Sequence, residues 1–298
     1  MIQGNIVQDS KWDRASLEPS FKVYVEGSRA AVRERADLII WPETAAPFLF
    51  QRTEFYPAGM QRDRTYRRRL LQLARTLHRP LLFGAPSLRF ARELTLRNRA
   101  YLVRADGQLG GYYDKMRLVP IAEYVPLRPV LGHFVRRLVQ TVGGLDVAAG
   151  NRRTIFDIGG VRLAVLICYE SLFPDLSRKA VAAGANVLVN LSNDASFGRS
   201  AEPYQVLAMS VFRAVENRTP MVRVTNSGIS ALVTPLGEVA AATPLFTRTV
   251  EVENVAWRQL RTVYTTAGDL FAELCLALSV ASVAVSFLIR HLTAVRSR

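Results

Sequence analysis

The chain has 298 residues, 49% of them hydrophobic, which is ample for a sizeable core in one large α/β domain or two small ones. Its formal net charge of +14 comes almost entirely from arginine and points to an anionic partner: nucleic acid, a phospholipid surface or an acidic substrate. Two cysteines in unlike contexts, Cys168 and Cys275, exclude a disulfide framework.

In chain order, "MIQGNIVQDSKW" reads as a strand and a turn rather than a secretory signal. A helix is predicted over Pro19 to Arg35, a strand in "ADLIIWPE", and a very basic helix over Arg62 to His78. Strands follow in "RPLLFGAPS" and in "NRAYLVRADGQLGGYYDK", a hairpin turning on Asp106 and Gly107. Gly143 to Gly150 is a Gly-rich, loop-like patch. Beyond it come the strand "VRLAVLICYE", a helix over Pro174 to Ala183, the strand "ANVLVNLSND" and a helix over Pro203 to Asn217. The strands "PMVRVTNSG" and "ISALVTPLGEVAA" complete the pattern. Short apolar strands separated by helices predict sheets covered on one face by helices. No solenoid period is visible, and residues 1–262 read as one domain.

Leu270 to Ile289, "LFAELCLALSVASVAVSFLI", has the length of a membrane span and a single charge, Glu273. Arg290, His291, Arg296 and Arg298 follow it and Asp269 precedes it. The positive-inside rule then predicts a cytoplasmic basic tail at 290–298, with the large domain on the opposite face. A buried core helix is the alternative. Cys275 lies within this run as a small apolar residue.

Three polar groups stand where strands run out. In "LIIWPET", Glu43 follows a strand that Pro42 ends; it reads either as a solvated loop acid or, desolvated beside Trp41, as a general base. Lys115, in "YYDKMRLVP", lies just past the hairpin, either on the surface or placed to stabilise an oxyanion. Cys168 comes directly after "LAVLI" and before "YES". It is either a small core residue or a nucleophile presented on a strand-to-helix turn.

"WPET", "YDKMRLVPIAEYVP" and "ICYES", in that order, resemble the Glu-Lys-Cys signature of the carbon–nitrogen hydrolase (nitrilase) superfamily. "GNIVQDSKW", "SNDASFG", "FRAVENRTP" and "RVTNSGISALVTPLGEV" are similar to its apolipoprotein N-acyltransferase branch over nearly the whole chain. The resemblance implies a four-layer α-β-β-α sandwich followed by one membrane helix. Glu43 would be the general base, Lys115 the oxyanion stabiliser and Cys168 the thioester-forming nucleophile. Glu123, in "IAEYVP", matches a supporting glutamate; Tyr169, Glu170 and Trp12 match positions that shape the site and lipid entry. A phospholipid would be the acyl donor and the amine of an apolipoprotein's diacylglyceryl-cysteine the acceptor. The setting would be the bacterial inner membrane with the catalytic domain periplasmic. No cofactor or metal is implied, and no nucleic-acid motif is present.

Ser196, in "NDASFG", stands where that branch usually carries a Trp near the acyl chain, a departure that bears on chain selectivity. The branch also carries several membrane helices ahead of this domain, whereas this sequence opens on the domain's first strand. The expectation is a fragment, or a split protein whose membrane-helix half is a separate partner. An amidase using water as acceptor, and a non-catalytic membrane-anchored relic, are the competing readings.

Overall fold

The computed structural model describes residues 1–7, 15–51, 60–90, 94–124, 147–258 and 260–296. Trp12 and residues 143–146 of the Gly-rich patch lie outside them. Elements run β1 (Ile2–Gln3), α1 (Leu17–Arg33), β2 (Ile39–Ile40), α2 (Gln61–Leu77), β3 (Leu81–Phe90), β4 (Leu94–Val103) and β5 (Leu109–Asp114). The second half runs β6 (Ile155–Ile158), β7 (Val161–Ile167), α3 (Pro174–Ala182), β8 (Val187–Ser192), α4 (Glu202–Asn217), β9 (Met221–Thr225), β10 (Ala231–Val233), β11 (Val239–Ala242), β12 (Thr249–Val250), α5 (Val263–Ala267) and α6 (Leu270–Arg296).

Strand alternation builds the layers. In β2 to β4, Ile39, Leu81, Phe83, Tyr101 and Val103 face an outer core shared with α1 and α2, while Ile40, Leu82, Ala100 and Leu102 face inward. In β7, Leu163, Val165 and Ile167 meet that inner set, and Ala164 and Leu166 turn outward to a third core with α3 and α4. Three cores separate four layers, helices outside and the two larger sheets within, with β1 and β12 paired in a small third sheet: the expected α-β-β-α sandwich. The first sheet has the order β2-β3-β4-β5, and the second β11-β10-β9-β8-β7-β6. β7, β8 and β9 are parallel neighbours.

The predicted "ADLIIWPE" strand shrinks to Ile39 and Ile40, because the backbone from Pro42 onward turns across Gly84. A Cβ on Gly84 would sit 2.4 Å from Thr44 N and 2.8 Å from Glu43 Cα, so only glycine admits this crossing. "ISALVTPLGEVAA" is a hairpin, β10 and β11, rather than one strand. The hairpin on Asp106 and Gly107 forms as predicted, with Gly107 at φ +78° and Asp106 Oδ1 accepting from Gln108 N.

α5 is capped by Thr262, whose hydroxyl accepts from Thr265 N, and Thr262 also donates to Glu216 O of α4. After Gly268, α6 leaves the domain. Its Leu270–Ile289 stretch has a mean hydropathy of 2.2, is wholly exposed, and is long and apolar enough to cross a membrane.

Candidate active site

Parallel strands that end together bring their following residues to one place. β7 ends at Ile167 and β8 at Ser192, with Ile167 paired to Leu191, so Cys168 and Ser192 emerge side by side. Cys168 adopts φ +53°, a conformation rare for a residue with a side chain, and opens a single 3-10 turn, Cys168–Leu172. From the facing sheet, Glu43 follows β2 and Lys115 follows β5.

The three predicted groups converge. Lys115 Nζ lies 3.8 Å from Glu43 Oε1 and donates to Glu123 Oε1 at 2.8 Å. The Lys115 side chain is buried. Burial works against its charge, but Glu43, then Cys168 and Glu123, outweigh it and hold the ammonium above its ordinary range. Burial, reinforced by the Glu43 carboxylate, pushes the Cys168 thiol up to about 12, against the pull of Lys115; Ser192 hydrogen-bonds the thiol. At neutral pH the Cys168 side chain is therefore a protonated thiol, so any nucleophilic use of it needs a base beside it. Glu43 is buried, and its carboxylate accepts from Asn98 Nδ2 at 2.7 Å. Trp41, expected to desolvate Glu43, instead packs in the outer core, stacked on Tyr24 and donating to Ser28 Oγ.

Two of the predicted supporting glutamates have defined work. Glu123 Oε2 accepts from Val119 N at 2.8 Å while Oε1 holds Lys115, so it ties the loop after β5 to the ammonium. Glu170 is fully buried and reaches both halves of the site. Its Oε1 accepts from Met116 N at 2.6 Å and Arg117 N at 3.0 Å; its Oε2 accepts from Ile167 N at 2.7 Å; Tyr113 Oη donates to both oxygens. Burial raises its pKa, opposed by these backbone bonds. Glu170 thus clamps the residue before Cys168 to the residue after Lys115. Tyr169 packs edge-on against Phe173, ring centres 5.0 Å apart. Ser196 sits exposed in the short turn Ala195–Phe197, beside Phe197, which is also exposed.

Sequence reasoning missed Asn98, Ser192, Asn190, Asp194 and Arg223. Asn98 O accepts from Lys115 N, and its side chain bridges Glu43 and Glu123, so it fixes where carboxylates and ammonium meet. The hairpin register shifts at a bulge between Leu102 and Val103 and then pairs Arg99 with Asp114, which puts Asn98 beside Lys115. Below Cys168, Asn190 Nδ2 donates to Leu166 O and Cys168 O. The fully buried Arg223 donates to Asn190 Oδ1 and, at 2.7 Å, to Asp194 Oδ2; Ser192 Oγ donates to Asp194 Oδ1. A Cβ on Gly228 would lie 1.9 Å from Asp194 Oδ2, so glycine makes room for this carboxylate.

The family model for carbon–nitrogen hydrolases matches residues 1–264. The chain belongs to the carbon–nitrogen hydrolase family. Among curated members, it is 39% identical to the apolipoprotein N-acyltransferase of Geobacter metallireducens, over 96% of this chain and 53% of that protein. It is 36% identical to the apolipoprotein N-acyltransferase of Azotobacter vinelandii, over 88% and 48%. The chain thus spans about half the length of the curated relatives it matches. Among solved structures, the amidase from Nesterenkonia sp. superposes with a TM-score of 0.56 at 20% identity, covering 76% of this chain and 81% of that one; this likeness shows the shared fold.

Proposed function

We propose that this carbon–nitrogen hydrolase domain is the catalytic part of an N-acyltransferase that moves a phospholipid acyl chain, through a Cys168 thioester, to the N-terminal amine of a diacylglyceryl-cysteine lipoprotein. The observation that carries the reading is the convergence of Glu43, Lys115 and Cys168 across the two sheets, in a chain similar to apolipoprotein N-acyltransferases over most of its length.

In the first half-reaction Glu43 takes the thiol proton as Sγ attacks the ester carbonyl. The negative charge developing on the carbonyl oxygen is met by Lys115, whose fixed ammonium needs no reorganisation. Collapse breaks the ester C–O bond, and Glu43 returns the proton to the departing lysophospholipid oxygen. In the second half-reaction the amine attacks the thioester, Glu43 takes its proton, and the thiolate leaves and is reprotonated. Two moderate barriers replace one high barrier. Glu123, Glu170 and Asn98 act as positioning residues. Residues 1–262 form the catalytic domain, 270–289 cross the inner membrane, and the basic 290–298 tail lies in the cytoplasm, leaving the site on the periplasmic face. Tethering at the membrane raises the effective concentration of both lipid substrates.

A hydrolase would use the same three residues with water as acceptor. The distinguishing experiment supplies the chain with phospholipid and a synthetic diacylglyceryl-cysteine peptide in detergent and analyses products by mass spectrometry. An N-acylated peptide with matching lysophospholipid supports acyl transfer; free fatty acid with unmodified peptide overturns it in favour of hydrolysis.

A further inference from the structure

At the edge of the sandwich away from Cys168, the two sheets part to leave a cleft of about 430 Å³. Its walls are aliphatic: Ile40 and the preceding Leu38 on one side, Leu163, Val187, Val189 and Val222 from the other sheet. The irregular strap Glu251–Trp257, which follows β12 on the way to α5, closes one side. Val187 is the first residue of β8, whereas Ser192 at its other end touches the thiol. At about 3.3 Å per residue, the cleft's wall on β8 runs from on the order of 10 Å (Val189) to 15 Å (Val187) from Ser192. It is a separate place from the catalytic centre.

The mouth has a single sign of side-chain charge. Asp37, Glu251 and Glu253 line it together with Trp257, with no lysine or arginine among its described lining residues, in a chain whose net charge is +14. The backbone nitrogen of Met1 donates to Glu251 O there. An aliphatic slot favours a hydrocarbon chain over water. Three carboxylates and a half-exposed indole face suit a cation at its head. We infer that this cleft binds a single-chain aliphatic cation, its chain between the sheets and its ammonium group among Asp37, Glu251, Glu253 and Trp257.

This assignment is independent of the chemistry at Cys168. It is tested on the full chain in neutral detergent by quenching of tryptophan fluorescence with a dodecylamine carrying a nitroxide on carbon 4, next to its head, and with the matching dodecanoate as the opposite-charge probe. Trp257→Phe isolates the Trp257 signal from Trp12 and Trp41. Saturable quenching of Trp257 by the amine is expected, with the carboxylate binding at least tenfold more weakly. Val187→Phe, which fills the slot, weakens amine binding at least tenfold while thermal melting shows the fold intact; Leu232→Phe replaces it if that variant does not fold. Combined Asp37→Asn, Glu251→Gln and Glu253→Gln abolishes the preference for the amine. Equal quenching by both probes, or quenching unchanged in the filled variant, means the chains dissolve around α6 or in detergent and overturns the assignment. Loss of quenching in Cys168→Ala relocates the probe to the catalytic site and overturns it equally.

Discussion

Glu170→Gln isolates the clamp between the two halves of the site. The carboxylate accepts three backbone N–H groups, and its two oxygens divide them: Met116 and Arg117 on Oε1, Ile167 on Oε2. Glutamine keeps one acceptor and presents an NH₂ to the other side. With its oxygen toward Met116 and Arg117, the amide sets a donor against Ile167 N–H, one buried bond lost and one donor left facing another. Tyr113 adapts by rotating its hydroxyl. The loss is about 1–3 kcal/mol, the range for a buried polar group deprived of its partner. The larger effect is geometric. Ile167 immediately precedes Cys168, whose φ of +53° needs support from its surroundings. A shift of about 1 Å in the thiol relative to Lys115 costs on the order of 100-fold in rate. Chemical denaturation gives the stability change, and single-turnover acylation of Cys168 gives the rate. A variant with both unchanged would refute the clamp. A variant whose stability falls while acylation proceeds at the parent rate would show that Glu170 only holds the fold.

Alkylation of Cys168 by iodoacetamide rises with pH up to about 12, instead of levelling off near the value of 9.0 for an ordinary thiol; a plateau at pH 9 contradicts the burial argument. Glu43→Gln moves that curve to lower pH and Lys115→Met moves it higher, since the carboxylate opposes ionisation and the ammonium favours it. The same raised pKa has a stability consequence: it contributes fully below about pH 9 and is lost as pH rises from 9 toward 12, because the unfolded chain releases its proton first. A denaturation series over that range should show a steeper alkaline loss for the parent than for Cys168→Ala. Asn98→Ala slows acylation by roughly 10–100-fold by removing one of the bonds that orient Glu43; Asn98→Asp, which adds a third carboxylate around one lysine, is slower still, and the reverse order refutes the bridging role. Arg223→Met leaves Asp194 as a buried uncompensated charge, and urea unfolding should show a loss of about 3–5 kcal/mol.

Sheets covered on one face by helices were legible because strand alternation and apolar helix faces are local properties, whereas the stacking of two sheets into four layers came with the family resemblance. "VRLAVLI" announces a buried strand, and its end at Cys168 announces the site. Strand lengths were less legible where another segment dictates them: nothing local to "ADLIIWPE" says that its tail turns over Gly84, a residue in a different strand. Glu43, Lys115 and Cys168 stood out because each follows a strand and carries chemistry in a recognisable phrase. Asn98 and Ser192 carry no such phrase. Their roles arise from register, across the hairpin for Asn98 and between parallel strands for Ser192. The Asp194–Arg223 pair was harder still, because a charged pair inside a sandwich is visible only once β8 and β9 are known to be neighbours. Glu170 was flagged for its position beside the nucleophile, yet its reach to Met116 and Arg117 depends on packing between sheets.

Intact-protein mass spectrometry after incubation with phospholipid in detergent looks for the covalent acyl group on Cys168 itself. One acyl adduct is expected on the parent chain, removed by hydroxylamine as a thioester is, and none on Cys168→Ala. Absence of an adduct on the parent chain, or an equal adduct on Cys168→Ala, would contradict a Cys168 thioester.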